Sequence, residues 1–353
     1  MSGNPSNPGH RINNRVSVDQ NIEVTRSWDF KVARAGWVNI LMMRGSATST
    51  KLLLLVGFLL SAATLLGQAQ PGVEFSPSLI KIVEGVYVYE GGLPLGDEDE
   101  ILRVNSLVVI TDKGILIADG QPTPEDGRKM LNEIRKVTRQ PVRFLVNASP
   151  HGDHTGSNLA FPNAVILSHF NARKAMAQSL ERLSSQDTET RLPETVYNER
   201  MTVHLGDKLI ELHYFGPGHT EGDTVVYLPD DKVAFLSELY FNGVFASLAE
   251  GHSLQHLRTL DEIMKLDATW FVPGHGFISG QSPEQLRAGL DRFYQNIRAI
   301  HDTVRRHVRQ GDSLETTLAR VDEELGEFAE SPFYGYLKNR TITGVYQALS
   351  ENR

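Results

Sequence analysis

Three histidine-bearing turns, each placed directly after an apolar, strand-like run, constrain this chain of 353 residues more than any other feature. Pro141-Val-Arg-Phe-Leu-Val146 is apolar and β-branched enough for a buried strand, and it leads into Ser149-Pro-His-Gly-Asp-His154. The run Lys208–Phe215 leads into Gly216-Pro-Gly-His-Thr220, and Thr269–Val272 leads into Pro273-Gly-His-Gly276. Ligand-bearing loops of α/β proteins sit at the carboxyl ends of strands, and glycines in such turns leave room for a ligand. One histidine in a Gly/Pro turn is ordinarily a surface residue. Three in order, after three strands, point to a shared centre.

In the first turn His151, Asp153 and His154 fall within four residues, where backbone curvature can aim two imidazoles and a carboxylate at one point or two adjacent points. The apolar run Val233–Phe241 carries one acid, Glu238, which must reach water or find a cation. The chain has no cysteine, so any metal would be held by His, Asp and Glu, and disulfides are excluded.

With these motifs in this order the chain resembles the metallo-β-lactamase fold superfamily of metallohydrolases, from about Pro77 to Leu349. The resemblance implies an α/β fold, a four-layer αββα sandwich, here with a C-terminal helical extension. It also makes Asp119 the family's early Asp, in Ile115-Leu-Ile-Ala-Asp-Gly120, and equates Ser149–His154 with its His-x-His-x-Asp-His loop. Two positions depart from the pattern: Ser149 stands where the first histidine is expected, and Glu238 where an Asp normally bridges two metals. One metal site is then reduced to His151 and His219, helped by Glu238, because a neutral hydroxyl is a poor zinc ligand beside imidazole. The other keeps Asp153, His154 and His275, three ligands with an open position. The implied cofactor is zinc, one ion or two, and single-zinc members of the superfamily also lack the first histidine. Ser149 and Asp119 are read as supporting residues, Asp119 orienting a ligand histidine by hydrogen bond.

The implied activity is hydrolysis. Zinc with an open position lowers the pKa of its water to roughly 7 and polarises the carbonyl to be attacked, in a lactam, lactone or thioester, with Asp153 or His151 as base. Ser149 lacks the Gly-x-Ser-x-Gly context of a nucleophile. Two alternatives stand beside this reading: a degenerate metal-binding member with weak or no activity, and an iron-dependent sulfur oxidoreductase.

The amino-terminal region reads as targeting sequence. Arg44 and Lys51 precede the apolar run Leu52–Leu66, and Gly67-Gln-Ala69 fits a small-x-small cleavage site. At about 15 residues the run is shorter than the roughly 20 of a spanning helix. Residues 42–69 are therefore expected to be a Sec signal peptide cut after Ala69, making the mature protein periplasmic or secreted. Residues 1–41 are expected to be a non-native or disordered leader, with translation starting at Met42 or Met43. The metallo-β-lactamase domain is placed at 77–300 and the helical extension at 301–353.

Strands are expected at Leu79–Gly91, Arg103–Thr111 and Gly114–Ala118, and helices at Thr123–Arg139, His169–Leu183 and Ser253–Leu266. Met130, Ile134 and Val137 share a face of the first helix. Three helix-like stretches follow Pro283, one opened by a capping-box-like Asp312 and Glu315, with core stripes Leu314, Leu318, Val321, Leu325 and Ile342, Val345, Tyr346, Leu349. The acidic Leu95–Glu100 stretch reads as a solvated loop. His169, His204, His213, His252, His256, His301 and His307 lack the turn context and are left out of the site. A net charge of −8 without a basic stripe excludes a nucleic-acid binder. The expected partner is a small-molecule substrate, with no stable membrane association after signal cleavage.

Overall fold

The computed structural model describes residues 75–95, 101–182 and 191–351. The expected leader and signal peptide (1–41 and 42–69) and residues 96–100 of the acidic stretch lie outside the described residues. The first sheet begins with four antiparallel strands, β1 (Ser78–Val83), β2 (Val86–Pro94), β3 (Ile101–Thr111) and β4 (Gly114–Ala118). The single strand expected over Leu79–Gly91 is in fact the hairpin β1–β2. Gly85 takes a φ of +74° between them, a conformation open to glycine at no steric cost. β5 (Val142–Asn147), β6 (Val165–His169) and β7 (Thr195–Tyr197) continue the sheet in parallel. Parallel strands bring their carboxyl ends to one edge, so Asp119 after β4 and the Ser149–His154 loop after β5 lie side by side.

The second sheet has the order β13-β11-β10-β9-β8, built from β8 (Arg200–Leu205), β9 (Lys208–His213), β10 (Val225–Leu228), β11 (Val233–Phe235) and β13 (Trp270–Val272). Two short strands cross back to the first sheet: β14 (His275–Gly276) pairs with β3 at Val104, and β12 (Phe241–Asn242) pairs with β14. Strand periodicity sorts the core into layers. Leu107 and Val109 of β3 meet Ile210, Leu212 and Val226 of the second sheet in one buried cluster. Val108, one residue out of phase, packs with Ile115, Ile117, Met130 and Ile134 on the opposite face. The outer face of the second sheet, with Tyr227, Ala234 and Phe271, packs with Leu257, Leu260, Leu290 and Ile297. The result is the expected four-layer αββα sandwich.

Helix α1 (Pro124–Val137) starts at Thr123, whose side chain accepts from the Asp126 amide. Met130 and Ile134 face the sheet, but Val137, expected on the same face, is 49% exposed because the last turn runs past the sheet. A one-turn α2 (Gly152–Thr155) holds the first ligand loop, followed by α3 (Phe170–Arg182) and α4 (Ser253–Ile263). α5 (Pro283–Gln310) opens with a full capping box between Ser282 and Gln285 and ends at Gly311, φ +84°. It runs unbroken through the expected 300/301 boundary. α6 (Leu314–Glu324) is capped by Ser313 rather than by the expected Asp312, which instead lies 2.7 Å from His307 Nδ1. α7 (Tyr334–Glu351) buries Ile342 and Val345 in the same core as Leu290 and Ile297, with Tyr346 and Leu349 packed against it. Among the described residues no helix is long and apolar enough to cross a membrane.

Candidate metal centre

Four connections deliver the six expected ligands to one spot at the sheet edge. His151, Asp153 and His154 come from the β5–α2 loop, His219 from the turn after β9, Glu238 from a 3-10 turn (Ser237–Leu239) after β11, and His275 from β14. Their ligand atoms form two overlapping groups, Asp153, His154, Glu238 and His275 in one and His151, His219 and Glu238 in the other, with all atoms in a group within 4.8 Å of one another. Glu238 belongs to both.

The glycines around these histidines are there because backbone packs on backbone. A Cβ on Gly274 would stand 2.3 Å from the Ser237 backbone, and one on Gly276 only 1.9 Å from Asn242 O. Asn105 fixes the same turn, donating from its side-chain amide to Pro273 O at 3.1 Å and Gly276 O at 3.0 Å. His275 and Glu238 are thereby held against each other without slack.

The distances fit a tetrahedral ion. Four ligands at zinc's usual ~2.0–2.1 Å would stand about 3.3–3.4 Å apart. In the first group, His154 Nε2 is 3.1 Å from His275 Nε2 and 3.6 Å from Asp153 Oδ2. His275 Nε2 is 3.3 Å from Asp153 Oδ2 and 3.4 Å from Glu238 Oε2. The second group shows the same spacing, with 3.0 Å from His151 Nδ1 to Glu238 Oε1 and 3.3 Å from His219 Nε2 to Glu238 Oε2, but it has only three members.

The outward nitrogens fix which atom points in. His275 Nδ1 is 2.8 Å from Arg103 O, and His219 Nδ1 is 2.9 Å from Ser247 O. A carbonyl can only accept, so each Nδ1 carries the proton and each Nε2 lone pair faces the centre. His151 is turned the other way, with Nδ1 inward and Nε2 3.6 Å from Glu250 Oε1. His154 Nδ1 lies 3.0 Å from Asp119 Oδ2, too poorly aligned to count as a hydrogen bond. Asp119 is itself locked. Its Oδ1 accepts from Ala148 N at 2.8 Å, its Oδ2 accepts a short bond from Ser237 Oγ, and it holds a φ of +61°. Ser237 stands at φ +49°, so two residues in a conformation costly for L-amino acids brace each other beneath the ligands.

Charge completes the fit. Burial works against protonation of His151 and His275, yet the carboxylates overcome it, holding His151 up at about 10 through Glu238 and Glu250 and His275 at about 9 through Glu238 and Asp153. His219 is pushed down by burial to about 4, although Glu238 opposes the shift. Burial also opposes charge on Glu238, but the surrounding imidazoles hold its carboxyl well below the usual range. Four carboxylates, Asp119, Asp153, Glu238 and Glu250, packed against four imidazoles require cations, and a divalent ion can replace the protons that would otherwise serve. Ser149, in the slot of the absent histidine, is fully buried, and its Oγ accepts from His151 N at 3.3 Å.

Sequence reading missed Ser237, Ser247, Glu250 and Phe241. Phe241, 3% exposed, touches both His219 and His275 with its ring. Only Phe241 left a signal, as an aromatic at the end of the Glu238 run. The others act through backbone carbonyls, strained dihedrals or a loop carboxylate with no pattern around it.

A family model described as the metallo-beta-lactamase superfamily matches residues 100–275, a span that contains all six clustered residues. With the four-layer fold, this makes the chain a member of the metallo-β-lactamase superfamily. Among characterised relatives it is 25% identical over 265 residues to the 2,4-dinitroanisole O-demethylase subunit alpha of Nocardioides sp. (strain JS1661), covering 72% of this chain and 76% of that one. It is 22% identical over 182 residues to the metallo-beta-lactamase type 2 of Bacillus cereus, covering 50% of this chain and 68% of that protein. A solved metallo-beta-lactamase from Pontibacter korlensis superposes with a TM-score of 0.53 at 21% identity, over 63% of this chain and 100% of that one.

Proposed function

We propose that the protein is a zinc-dependent hydrolase of small molecules, exported from the cell, that cleaves a lactam, lactone or thioester carbonyl. The observation that carries this reading is the set Asp153, His154, His275 and Glu238, spaced as ligands of one tetrahedral ion and opening on a cavity of about 520 Å³. Such volumes are typical of small-molecule sites. Bound there, zinc supplies Lewis acidity and an acidified water.

The chain's own residues do the rest. Asp153, its side chain 18% exposed and lining the cavity, would hold the ion through Oδ2 and relay a proton to the leaving group through its other carboxylate oxygen. His151, 36% exposed, stands at the cavity mouth beside it and is the second candidate for proton movement. Leu102 and Phe241 keep water from the wall behind the reacting carbonyl. Glu238, between the two groups, holds the first set together and offers a conditional second set with His151 and His219. Ser149 lowers the affinity of that second set.

Elemental analysis of purified protein is the first test. Zinc near one or two equivalents supports hydrolysis, iron points to the oxidoreductase alternative, and no metal to the degenerate one. Turnover is then read on a panel of β-lactams, lactones and thioesters, to which the resemblance to the O-demethylase subunit adds 2,4-dinitroanisole. Asp153→Asn is expected to lower kcat by roughly 100-fold or more, the usual worth of a positioned acid–base group. A zinc-loaded protein that turns over nothing on the panel refutes the hydrolase assignment.

A further inference from the structure

The cavity over the metal centre has a wall that the superfamily match does not include. The match ends at residue 275, whereas Tyr336, Leu337 and Arg340 of α7 line the cavity together with His151, Asp153 and Glu238. Positions 336 and 340, and 337 and 340, are four and three apart, so all three side chains share one face of the helix. Leu93, Leu95 and Leu102 from the β2–β3 end complete an apolar surround.

Arg340 is the sole arginine or lysine among the described residues that line this cavity. Many other arginines of the chain are neutralised locally, as Arg103 is by Glu90, Arg292 by Glu327 and Arg305 by Asp302. Arg340 has no ion pair or hydrogen bond among the described residues, and its side chain is exposed. Its backbone is nevertheless fixed. The next residue, Thr341, donates to Ala246 O at 3.0 Å and accepts from Leu248 N at 3.2 Å, and Gly344 packs so closely on Ala249 O that a Cβ would stand 2.3 Å away. An unpaired guanidinium on a clamped helix, at the rim of a pocket with an apolar surround, is a receptor for an anion: it binds a carboxylate through two parallel N–H donors and has no intramolecular partner to give up first.

We infer that Arg340 selects substrates with an apolar or aromatic body and a terminal carboxylate, which it holds at the rim while the body lies between Leu102 and Leu337 and the reacting group reaches the metal centre. This rests on the reading of the cavity as the substrate site, and it names the substrate class that the chemistry of the centre leaves open.

The test reads binding, so it does not depend on turnover. Phenylbutyrate and its neutral match phenylbutyramide are titrated calorimetrically into the zinc-loaded full chain, as wild type, Arg340→Ala and Arg340→Lys. Wild type is expected to bind the carboxylate about tenfold more tightly than the amide, equivalent to ~1.4 kcal/mol. Arg340→Ala should erase that preference while leaving amide affinity within about twofold, and Arg340→Lys should keep part of it. A preference that survives in Arg340→Ala would mean that the carboxylate sits on the metal ion instead, and would overturn the inference. Equal binding of the two probes to wild type, or no binding of either, overturns it as well. If the preference behaves as expected but no panel substrate is hydrolysed, the hydrolase reading fails and the anion site stands.

Discussion

At the scale of single residues, the centre is decided by the two departures from the family pattern, Ser149 and Glu238, and by the loop carboxylate Glu250 beside His151. Ser149 leaves the second ligand group with three members, and each Glu238 oxygen faces one histidine of each group, Oε1 toward His151 and His154 and Oε2 toward His219 and His275. Ser149→His is expected to raise zinc content from near one equivalent toward two by elemental analysis; unchanged content at saturating zinc would show that position 149 is not a ligand slot. Glu250 lies beside His151, whose outward nitrogen has no carbonyl anchor, so Glu250→Gln should weaken zinc retention against a chelator by about 10-fold or more, the usual worth of a partner that orients a ligand. Ser237→Ala removes the hydroxyl that donates to Asp119 and should cost ~1.5–3 kcal/mol in denaturant unfolding, because the acceptor is a buried carboxylate. The clustered ligands were legible in the sequence because a tight Gly/Pro turn confines them. Ser237 and Glu250 were not, since a left-handed φ at a serine and a lone acid in a loop leave no periodic or spacing signal.

At the scale of elements, the segment from Val244 to Gly251 couples the carboxyl-terminal helix to the site. Ser247 O anchors His219, while Thr341 of α7 bonds to the residues on either side, Ala246 and Leu248. Thr341→Val keeps the shape but strips both bonds from buried backbone groups. It should lower stability by ~1–3 kcal/mol in chemical denaturation and loosen His219, seen as faster zinc loss to a chelator than from wild type. The helices themselves could be read from their 3.6-residue stripes, and Val321, Ile342 and Val345 are buried as that pattern required. Junctions were harder. The β1–β2 break rests on one glycine dihedral, and the α6 cap fell to Ser313 because Asp312 is engaged by His307, a contact across a helix end that spacing does not encode.

At the scale of the whole molecule, the sandwich could be inferred because the order of strand, turn and ligand reproduces one topology, whereas the placement of α7 over the cavity depends on long-range packing that no local pattern announces. Burial in the layer between α4 and the site also sets an acid limit. His256 is fully buried, donates to Leu239 O at 3.1 Å and is pushed down by burial to about 3. The unfolded chain takes up its proton near 6.5, so the stability that depends on a neutral His256 is complete above pH 6.5 and drains away as pH falls from there toward 3. This amounts to about 1.4 kcal/mol by pH 5.5, and His256→Gln should show that much less loss than wild type over the same interval in urea unfolding. Parallel curves for the two proteins would refute the assignment.

The position of α7 also sets an order of assembly. His151 to His275 precede Tyr334–Glu351 in the chain, so as it emerges amino end first into the compartment where it folds it passes through a stage at which every clustered residue is present while the helix that bounds the cavity is not. In that interval the centre is open on one side and the loop that anchors His219 is unclamped, which favours entry of an ion over capture of a substrate. A stop codon after α6 would freeze the protein there, with its metal ligands present in the chain but its substrate wall missing.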